Sequence, residues 1–380
     1  MNFKRTISFF RHFLILLFLG SVCSAFSKEK EDEKKDEQKV ESKEDREKRE
    51  KEEAEIKAKF GYSLDEIIDK LVIVDCKGKE GRSAGSGFIA CMEGKTYLFT
   101  NQHVIMGTDR ISFKTVDGKL LKPLGVELSK SRDIARLLLS DEIEGFDVSE
   151  KVLIGSPIAV FGNSEGGGVA TQLYGETKGI GADLVEVSAQ FVAGNSGSPV
   201  LNPEQEVIGI ASYVHIGSTT LMNKGTIFEN KTRRFCYRLS KNDWKKVSWR
   251  SYNKKYGKTY LENERFKEDV FHFFEQWGKD LRTTLDLETG ACKELQSWVD
   301  AHNTLILKKA RKRGSRASFR SKYTESLRRL SRLSTKRANQ IRTFSEDPNL
   351  TEFLRKESEA QIYSLDSVKD GCKYVESKIY

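Results

Sequence analysis

Residues 85–105 read GSGFIACMEGKTYLFTNQHVI, and the texture of this stretch decides what kind of fold the chain can form. Two β-rich runs, Gly87 to Cys91 and Tyr97 to Thr100, are separated by a Gly-containing turn, and the second leads directly into His103. Short runs of β-branched and aromatic residues bounded by turns are how strands read. The pattern continues outward through Leu71 to Val74, Ile111 to Val116, Ile134 to Leu139, Ile158 to Phe161, Leu184 to Val187 and Val207 to Ser212. Many short strands at this spacing predict barrels or a sandwich rather than a parallel α/β sheet. Upstream, Ser63 followed by Glu66 is a capping-box pattern and predicts a short helix through Leu71.

On either side of this β-rich region the texture changes. After about residue 240 glycines become rare, and Phe266, Val270, Phe273, Phe274, Trp277 and Leu281 recur at steps of three and four, which predicts one apolar helix face. Between Leu305 and Arg342 there are fourteen Lys or Arg against one acidic residue, Glu325. Leu327, Leu330, Leu333, Ile341 and Phe344 are spaced for the buried face of this second helix, leaving Arg328, Arg329, Arg332, Lys336 and Arg337 toward solvent. Residues 241–380 therefore read as a basic α-helical domain with coiled-coil-like periodicity. Its charge would attract polyanions such as phospholipid headgroups or envelope polymers through residues 305–342, and the bland alternative is a solvated face with counterions. Nothing there resembles a zinc-finger or RNA-binding motif, and export argues against nucleic acid.

Before the β-rich region, residues 28–60 are nearly all Lys, Glu, Asp and Arg, with pairs such as Glu44 with Lys48, Asp45 with Arg49 and Glu47 with Lys51 at helical spacing. Such a segment has nothing to bury and reads as a solvated spacer. Residues 1–27 carry Lys4, Arg5 and Arg11, then an apolar run from Phe13 to Val22, then small residues at Ser24, Ala25 and Ser27, the layout of an export signal. An uncleaved anchor and a lipid-modified Cys23 are the alternatives. The expected location is periplasmic or secreted. The chain has 380 residues and a net charge of +9, with 32% charged and 38% apolar residues. A low apolar fraction spread this unevenly predicts a globular part diluted by polar segments. Cys76, Cys91, Cys236, Cys292 and Cys372 remain once a signal is removed, an odd number. Cys76 with Cys91, or Cys292 with Cys372, could bridge, and buried free thiols are the equal alternative.

Three polar motifs stand in the β-rich region. Thr100-Asn101-Gln102-His103 puts a histidine just past a strand, Arg132-Asp133-Ile134-Ala135 puts an aspartate at the start of another, and Gly194-Asn195-Ser196-Gly197-Ser198-Pro199 holds a serine in a glycine-flanked loop. Hydrolysing an amide at neutral pH needs a nucleophile, a base for its proton, a group that fixes the base, and donors for the oxyanion. The sequence offers one of each, in the order His, Asp, Ser.

With Gly85-Ser86-Gly87-Phe88-Ile89 ahead of the histidine, these motifs resemble the chymotrypsin-like (trypsin-like) serine proteases, nearest the bacterial high-temperature-requirement (Deg-like) branch. Phe161-Gly162-Asn163-Ser164, before a Gly-rich loop, resembles that branch's entrance to its second barrel. The resemblance covers about residues 68 to 240. It implies a mainly β, trypsin-like double β-barrel at 61–240, with Ser196 as nucleophile, His103 as base, Asp133 orienting the histidine, and the Gly194 and Ser196 amides as the oxyanion hole. It implies a serine endopeptidase acting on protein or peptide substrates through an acyl-enzyme, with no metal or organic cofactor. The rival is a catalytically silent trypsin-like fold acting as a peptide-binding or envelope-adhering protein.

Substrate choice in this fold is read partly at Gln190 and along Ala211-Ser212-Tyr213. A neutral amide at Gln190 would not pair with a Lys or Arg side chain, so a small or medium apolar preference is expected. Two departures from the pattern stand out. Ser198 occupies a position where the family usually has glycine, and no peptide-binding PDZ domain is recognisable after residue 240.

Overall fold

The computed structural model describes residues 43–78, 81–140, 143–216, 224–226, 229, 231–279, 296–297, 299–304 and 316–379. The expected export signal at 1–27 lies outside them. The chain divides into two compact units between Trp249 and Arg250.

The first unit opens with helix α1 (Lys43–Lys57), followed by β1 (Leu71–Gly78), β2 (Gly81–Met92), β3 (Lys95–Thr100), the one-turn helix α2 (Gln102–Ile105), β4 (Arg110–Thr115), β5 (Leu120–Leu121), β6 (Gly125–Ser129) and β7 (Ala135–Leu138). Then come β8 (Pro157–Gly162), β9 (Thr171–Ile180), β10 (Leu184–Val187), β11 (Pro199–Leu201), β12 (Val207–Ile216), β13 (Thr232–Tyr237) and β14 (Trp244–Val247). The strands make an eight-stranded sheet in the order β14-β6-β7-β3-β2-β1-β4-β5 and a closed six-stranded barrel in the order β10-β13-β12-β11-β8-β9. The paired strands run antiparallel throughout. The short-strand texture leaves barrel or sandwich open, and the mainly β, trypsin-like barrel fold is the one the resemblance implies.

Phe88 and Phe99 stack at 5.4 Å on neighbouring strands and share one buried cluster with Phe161, Leu201 and Ile210 of the barrel. A second cluster, including Ile158, Val185, Phe191, Val200, Ala211 and Cys236, fills the barrel itself. Burying a side chain of this size contributes about 1.5 to 3 kcal/mol, so the first cluster holds sheet against barrel and the second stabilises the barrel.

Three expectations are corrected here. The charged segment 28–60 is not only a spacer: α1 docks on the barrel, because Ile56 is buried among Tyr62, Phe161 and Tyr174, and Phe60 meets the Tyr174 ring edge-on at 5.3 Å. Its ion pairs include Arg46 with Glu50 and Lys48 with Glu52. The helix expected through Leu71 is a single 3-10 turn, Leu64–Glu66. The Glu66 carboxylate does accept the Ser63 N–H at 2.9 Å, but Leu71 already pairs with Phe88 in β1, and sheet pairing wins over local propensity. The boundary at 240 falls short, since β14 pairs with β6. Arg136 explains the anchorage: its guanidinium sits 4.4 Å from the Tyr97 ring and 4.3 Å from that of Trp244, with Glu127 at 2.6 Å.

The second unit, as described, is helical. A short helical segment from Trp249 passes through one wide turn, Asn253–Gly257, into α3 (Lys258–Lys279), and α4 (Arg316–Ser345) and α5 (Glu352–Ile379) form a helical hairpin. Phe266, Val270, Leu327, Leu330, Ile341 and Val368 share its core, with Leu333 packed against it, so the 3.6-residue periodicity was read correctly at these positions. The side chains of Phe273, Phe274, Trp277 and Leu281 lie outside the described residues.

Much of the basic face of α4 is already matched: Arg328 pairs with Glu376 at 3.1 Å, Arg337 with Glu262 at 3.8 Å, Arg332 with Glu325, and Arg342 with Asp366. Residues 305–315 lie outside the description. Among the described residues, no helix is long and apolar enough to cross a membrane. Cys76, Cys91, Cys236 and Cys372 are free thiols, and Cys292 lies outside the described residues. Cys76 faces Ser83 and Ile111 across its strand pairs, whereas Cys91 faces Thr96, so the hairpin flank does not bring them together.

Candidate active site

The residues leading to His103 are held from behind. β3 ends at Thr100, whose hydroxyl donates to the Ser86 carbonyl at 2.8 Å. Asn101 donates from its amide to the Asp133 carbonyl at 2.6 Å, and the Gln102 amide donates to the Ser129 and Arg132 carbonyls at 2.9 and 2.8 Å. All three side chains are fully buried. A buried amide must find partners or carry a penalty of about 1 to 3 kcal/mol, so these bonds lock the segment 100–103 to the loop that carries Asp133.

Asp133 then meets His103 twice. One carboxylate oxygen accepts the His103 backbone N–H at 3.0 Å, and the other bonds the ring Nδ1. That second oxygen also accepts the Ser212 hydroxyl at 3.1 Å. A carboxylate oxygen accepts, so on a neutral imidazole this bond puts the proton on Nδ1 and leaves Nε2 as the acceptor nitrogen. The loop is fastened to the barrel by Arg132, which donates to the carbonyls of Arg238 and Ser240 at 2.6 and 2.8 Å and pairs with Asp183 at 2.6 Å.

Ser196 sits in a turn that glycine makes feasible. Gly194 and Gly197 both have φ near +91°, where a side chain is strained. A Cβ on Gly194 would stand 2.3 Å from the Asn163 carbonyl oxygen, and one on Gly197 would stand 2.0 Å from that of Ser86. Inside the turn, the Asn195 side-chain oxygen accepts the Val192 N–H and the Ser164 hydroxyl, both at 3.0 Å. Among the described residues the amides of Gly194 and Ser196 donate to no protein acceptor, whereas that of Asn195 is used on the Val192 carbonyl at 3.1 Å.

The Ser196 hydroxyl lies 3.4 Å from the Ser212 carbonyl oxygen. Ser212 therefore touches both Asp133 and Ser196, and through it the three motifs, far apart in sequence, are brought to one place. Its side chain serves the carboxylate, where the sequence suggested only a substrate-binding strand.

Sequence reasoning did not single out Ser86. Its hydroxyl donates to the Gly194 carbonyl and accepts the Asn163 N–H, each at 2.8 Å, while its own N–H donates to the Ser196 carbonyl at 2.9 Å. The motif around Gly85 and Gly87 was visible, but no local signal marks a serine as a junction between segments 77 and 108 residues away.

The remaining expected residues are placed as follows. Gln190 is exposed, while its neighbours Ala189 and Phe191 face the barrel interior. Ala211 is buried in the same cluster and contributes its backbone, accepting the Gly197 N–H and donating to the Ser198 carbonyl, both at 2.9 Å. Tyr213 stacks on Phe235 at 5.1 Å, and burial pushes its hydroxyl up to about 12. Ser198 is fully buried against Gly162, where a Cβ would come 1.8 Å from the Ser198 hydroxyl. The extra side chain at 198 is thus accommodated by a missing one at 162.

Residues 85–210 match the family model for the trypsin-like peptidase domain. A probable periplasmic serine endoprotease DegP-like from Halomonas elongata is 32% identical over 146 residues, which cover 36% of this chain and 30% of that protein. The protein of the same description from Rhizobium meliloti is 34% identical over 140 residues, covering 34% of this chain and 27% of that one. The chain thus spans less than a third of the length of these relatives. Among solved structures, it is similar to the active form of the Rv3671c protease from M. tuberculosis, with 17% identity, a TM-score of 0.37, and coverage of 46% of this chain and 78% of that one. The serine endoprotease from Yersinia pestis is similar at 22% identity and a TM-score of 0.36, covering 47% and 61%. The likeness to a trypsin-like peptidase domain thus lies within residues 85–210.

Proposed function

We propose that the protein is a serine endopeptidase in which Ser196 attacks the substrate carbonyl, His103 carries the proton and Asp133 orients the histidine. The observation that carries this reading is the double contact of Ser212, which ties the carboxylate holding His103 to the serine hydroxyl.

As the Ser196 oxygen bonds to the carbonyl carbon, its proton passes to Nε2 of His103, and Asp133 stabilises the imidazolium. The carbonyl oxygen takes the electron pair and is met by the unengaged N–H groups of Gly194 and Ser196. Nε2 then returns the proton to the leaving amine as the C–N bond breaks, leaving an acyl-Ser196 ester. Water, relieved of a proton by the same nitrogen, releases the acid and regenerates the hydroxyl.

The substrate side is supported by the strand β12. Beyond Ile210 it pairs with β13 on one edge, and β11 ends opposite that residue, so among the described residues no strand covers the other edge of Ser212 to Ile216. An extended peptide can add there as a strand, its carbonyl delivered to the neighbouring Ser196. Export follows from the N-terminal pattern and from the periplasmic description of the relatives, and protein or peptide substrates follow from theirs.

A fluorophosphonate probe should label the full chain covalently, and Ser196→Ala should abolish the labelling. Absence of label on wild type across pH 6 to 9 would end the catalytic reading.

A further inference from the structure

Two adjacent arginines on β13 are treated very differently by the fold. Arg233 is neutralised: its guanidinium donates to both carboxylate oxygens of Glu186, at 2.8 and 2.6 Å. Arg234 is half-buried, yet it has no carboxylate partner among the described residues. Among the described residues its one bond runs from Nε to the Phe191 carbonyl oxygen at 2.8 Å. The two terminal nitrogens are not among the buried unpaired atoms, so they reach solvent. A guanidinium drawn out of water without an anion is unfavourable, and burial accordingly lowers its proton affinity below the usual arginine value. An anion arriving from outside would relieve that cost.

Its position says where that anion would come from. Arg234 lies opposite Val187 on β10 and opposite Val214 on β12. Side chains alternate along a strand, so it shares a face with Cys236, which is fully buried in the barrel cluster with Val187, Ala189 and Phe191. Arg234 therefore stands at the mouth of the barrel interior, above a filled apolar floor. On one side is the Phe191 carbonyl, at the start of the turn that carries Gly194 and Ser196; on the other is Val214, two residues beyond the Ser212 carbonyl that meets the Ser196 hydroxyl. A peptide laid along β12 with its carbonyl at Ser196 sends the side chain of its attacked residue between these two walls.

We infer that Arg234 is the specificity residue of this site and that the enzyme cleaves after acidic residues, Glu or Asp, whose carboxylate pairs with the Arg234 guanidinium. This rests on the catalytic reading of Ser196. It replaces the apolar preference expected from Gln190, whose side chain is exposed while Phe191 is buried in the barrel cluster and offers its carbonyl to Arg234. A planar guanidinium with two free nitrogens suits a carboxylate better than the isosteric amide, because both bonds are then charge-assisted.

The test compares four peptidyl diphenyl phosphonates on the full chain, identical except that the residue at the phosphorus is the analogue of Glu, Gln, Val or Lys. Each forms a Ser196 Oγ–P bond and expels phenol, which leaves with the serine proton, so the inactivation rate reads side-chain preference alone. The Glu analogue should react about tenfold or more faster than the Gln and Val analogues. The advantage should vanish in Arg234→Gln and pass to a Lys analogue in Arg234→Glu. A wild-type enzyme that reacts with the Gln or Val analogue as fast as with the Glu analogue, while a small fluorophosphonate still labels Ser196, overturns the inference and leaves the catalytic reading intact. No fluorophosphonate label at all removes both. Should the variants disturb the turn through the lost Phe191 bond, the wild-type Glu-to-Gln ratio decides by itself.

Discussion

The two units bury polar groups in opposite ways. In the helical unit the core is an apolar stripe repeated every three or four residues, and several of its buried polar groups answer to neighbours: Lys267 pairs with Glu264 three residues away at 2.6 Å, and Ser358 and Ser364 donate to carbonyls four residues back, while Gln361 reaches Glu264 from 97 residues away. In the barrel unit, Thr100, Asn101, Gln102, Asn195 and Ser86 are buried around one point and are bonded largely to partners distant in sequence. A helix can be satisfied locally, whereas a site assembled from several strand ends must be satisfied by the whole fold. Stability in the first should thus answer to single apolar side chains, and activity in the second to backbone conformation and single polar atoms.

The sharpest way to break that contrast is at Gly194. With φ at +91° and the Asn163 carbonyl 2.3 Å from any added Cβ, Gly194→Ala must move the amide that would face the oxyanion. The fluorophosphonate labelling rate should fall about a hundredfold to a thousandfold, the usual cost of one lost donor. An unchanged rate would mean that the amide has no part in the chemistry. In the helical unit the matching experiment is Leu330→Ala, a fully buried side chain in the α4 stripe. It should lower the stability of that unit by about 2 to 5 kcal/mol, seen as an earlier helical transition on urea titration of the full chain.

The same difference governs what the sequence discloses. Leu327, Leu330 and Ile341 can be assigned to a buried face by counting, because their partners recur within the helix period. The strands from β1 to β4 and the three polar motifs could also be found, since each is a local pattern. What could not be read is where distant segments touch. Ser212 was legible as part of a strand but not as a donor to Asp133, 79 residues away. Gln190 was legible by counting back from Ser196, but counting does not say which side chain of the loop after β10 turns inward; Phe191 is buried in the barrel cluster and Gln190 is exposed. Likewise α1 looks fully solvated until one isoleucine finds a docking surface formed by strands more than a hundred residues further on.

A titration separates the two units by pH. Glu268 on α3 is pushed up to about 7 by burial first and then by the nearby Glu264 and Asp269 carboxylates, with Lys267 and Arg265 acting the other way. The folded chain holds this proton up to about 7, while the unfolded chain releases it near 4.5. The group's contribution is thus fully present below the unfolded value and is lost as pH rises through the folded one. The helical transition should lose on the order of 2 kcal/mol between pH 5 and pH 8, and Glu268→Gln should remove most of that slope. An identical slope in the variant would place the titration elsewhere.

The smallest expected change in stability is at Ser86, where it is informative because two readouts should disagree. Ser86→Ala deletes one oxygen that accepts the Asn163 N–H and donates to the Gly194 carbonyl, leaving both buried groups unpaired. Its backbone bond to the Ser196 carbonyl persists, and so does the carbonyl that accepts the Thr100 hydroxyl, so the strand itself stays in place. The barrel should lose about 1 to 2 kcal/mol on urea unfolding. The labelling rate of Ser196 should fall further than that loss accounts for, by about tenfold at a denaturant-free condition where the chain is fully folded, because the Gly194 peptide loses the bond that fixes its carbonyl and with it the direction of its amide. A variant that loses stability but labels at the wild-type rate would show that the turn holds its own shape, with Asn195 and the two glycines sufficient to present the serine.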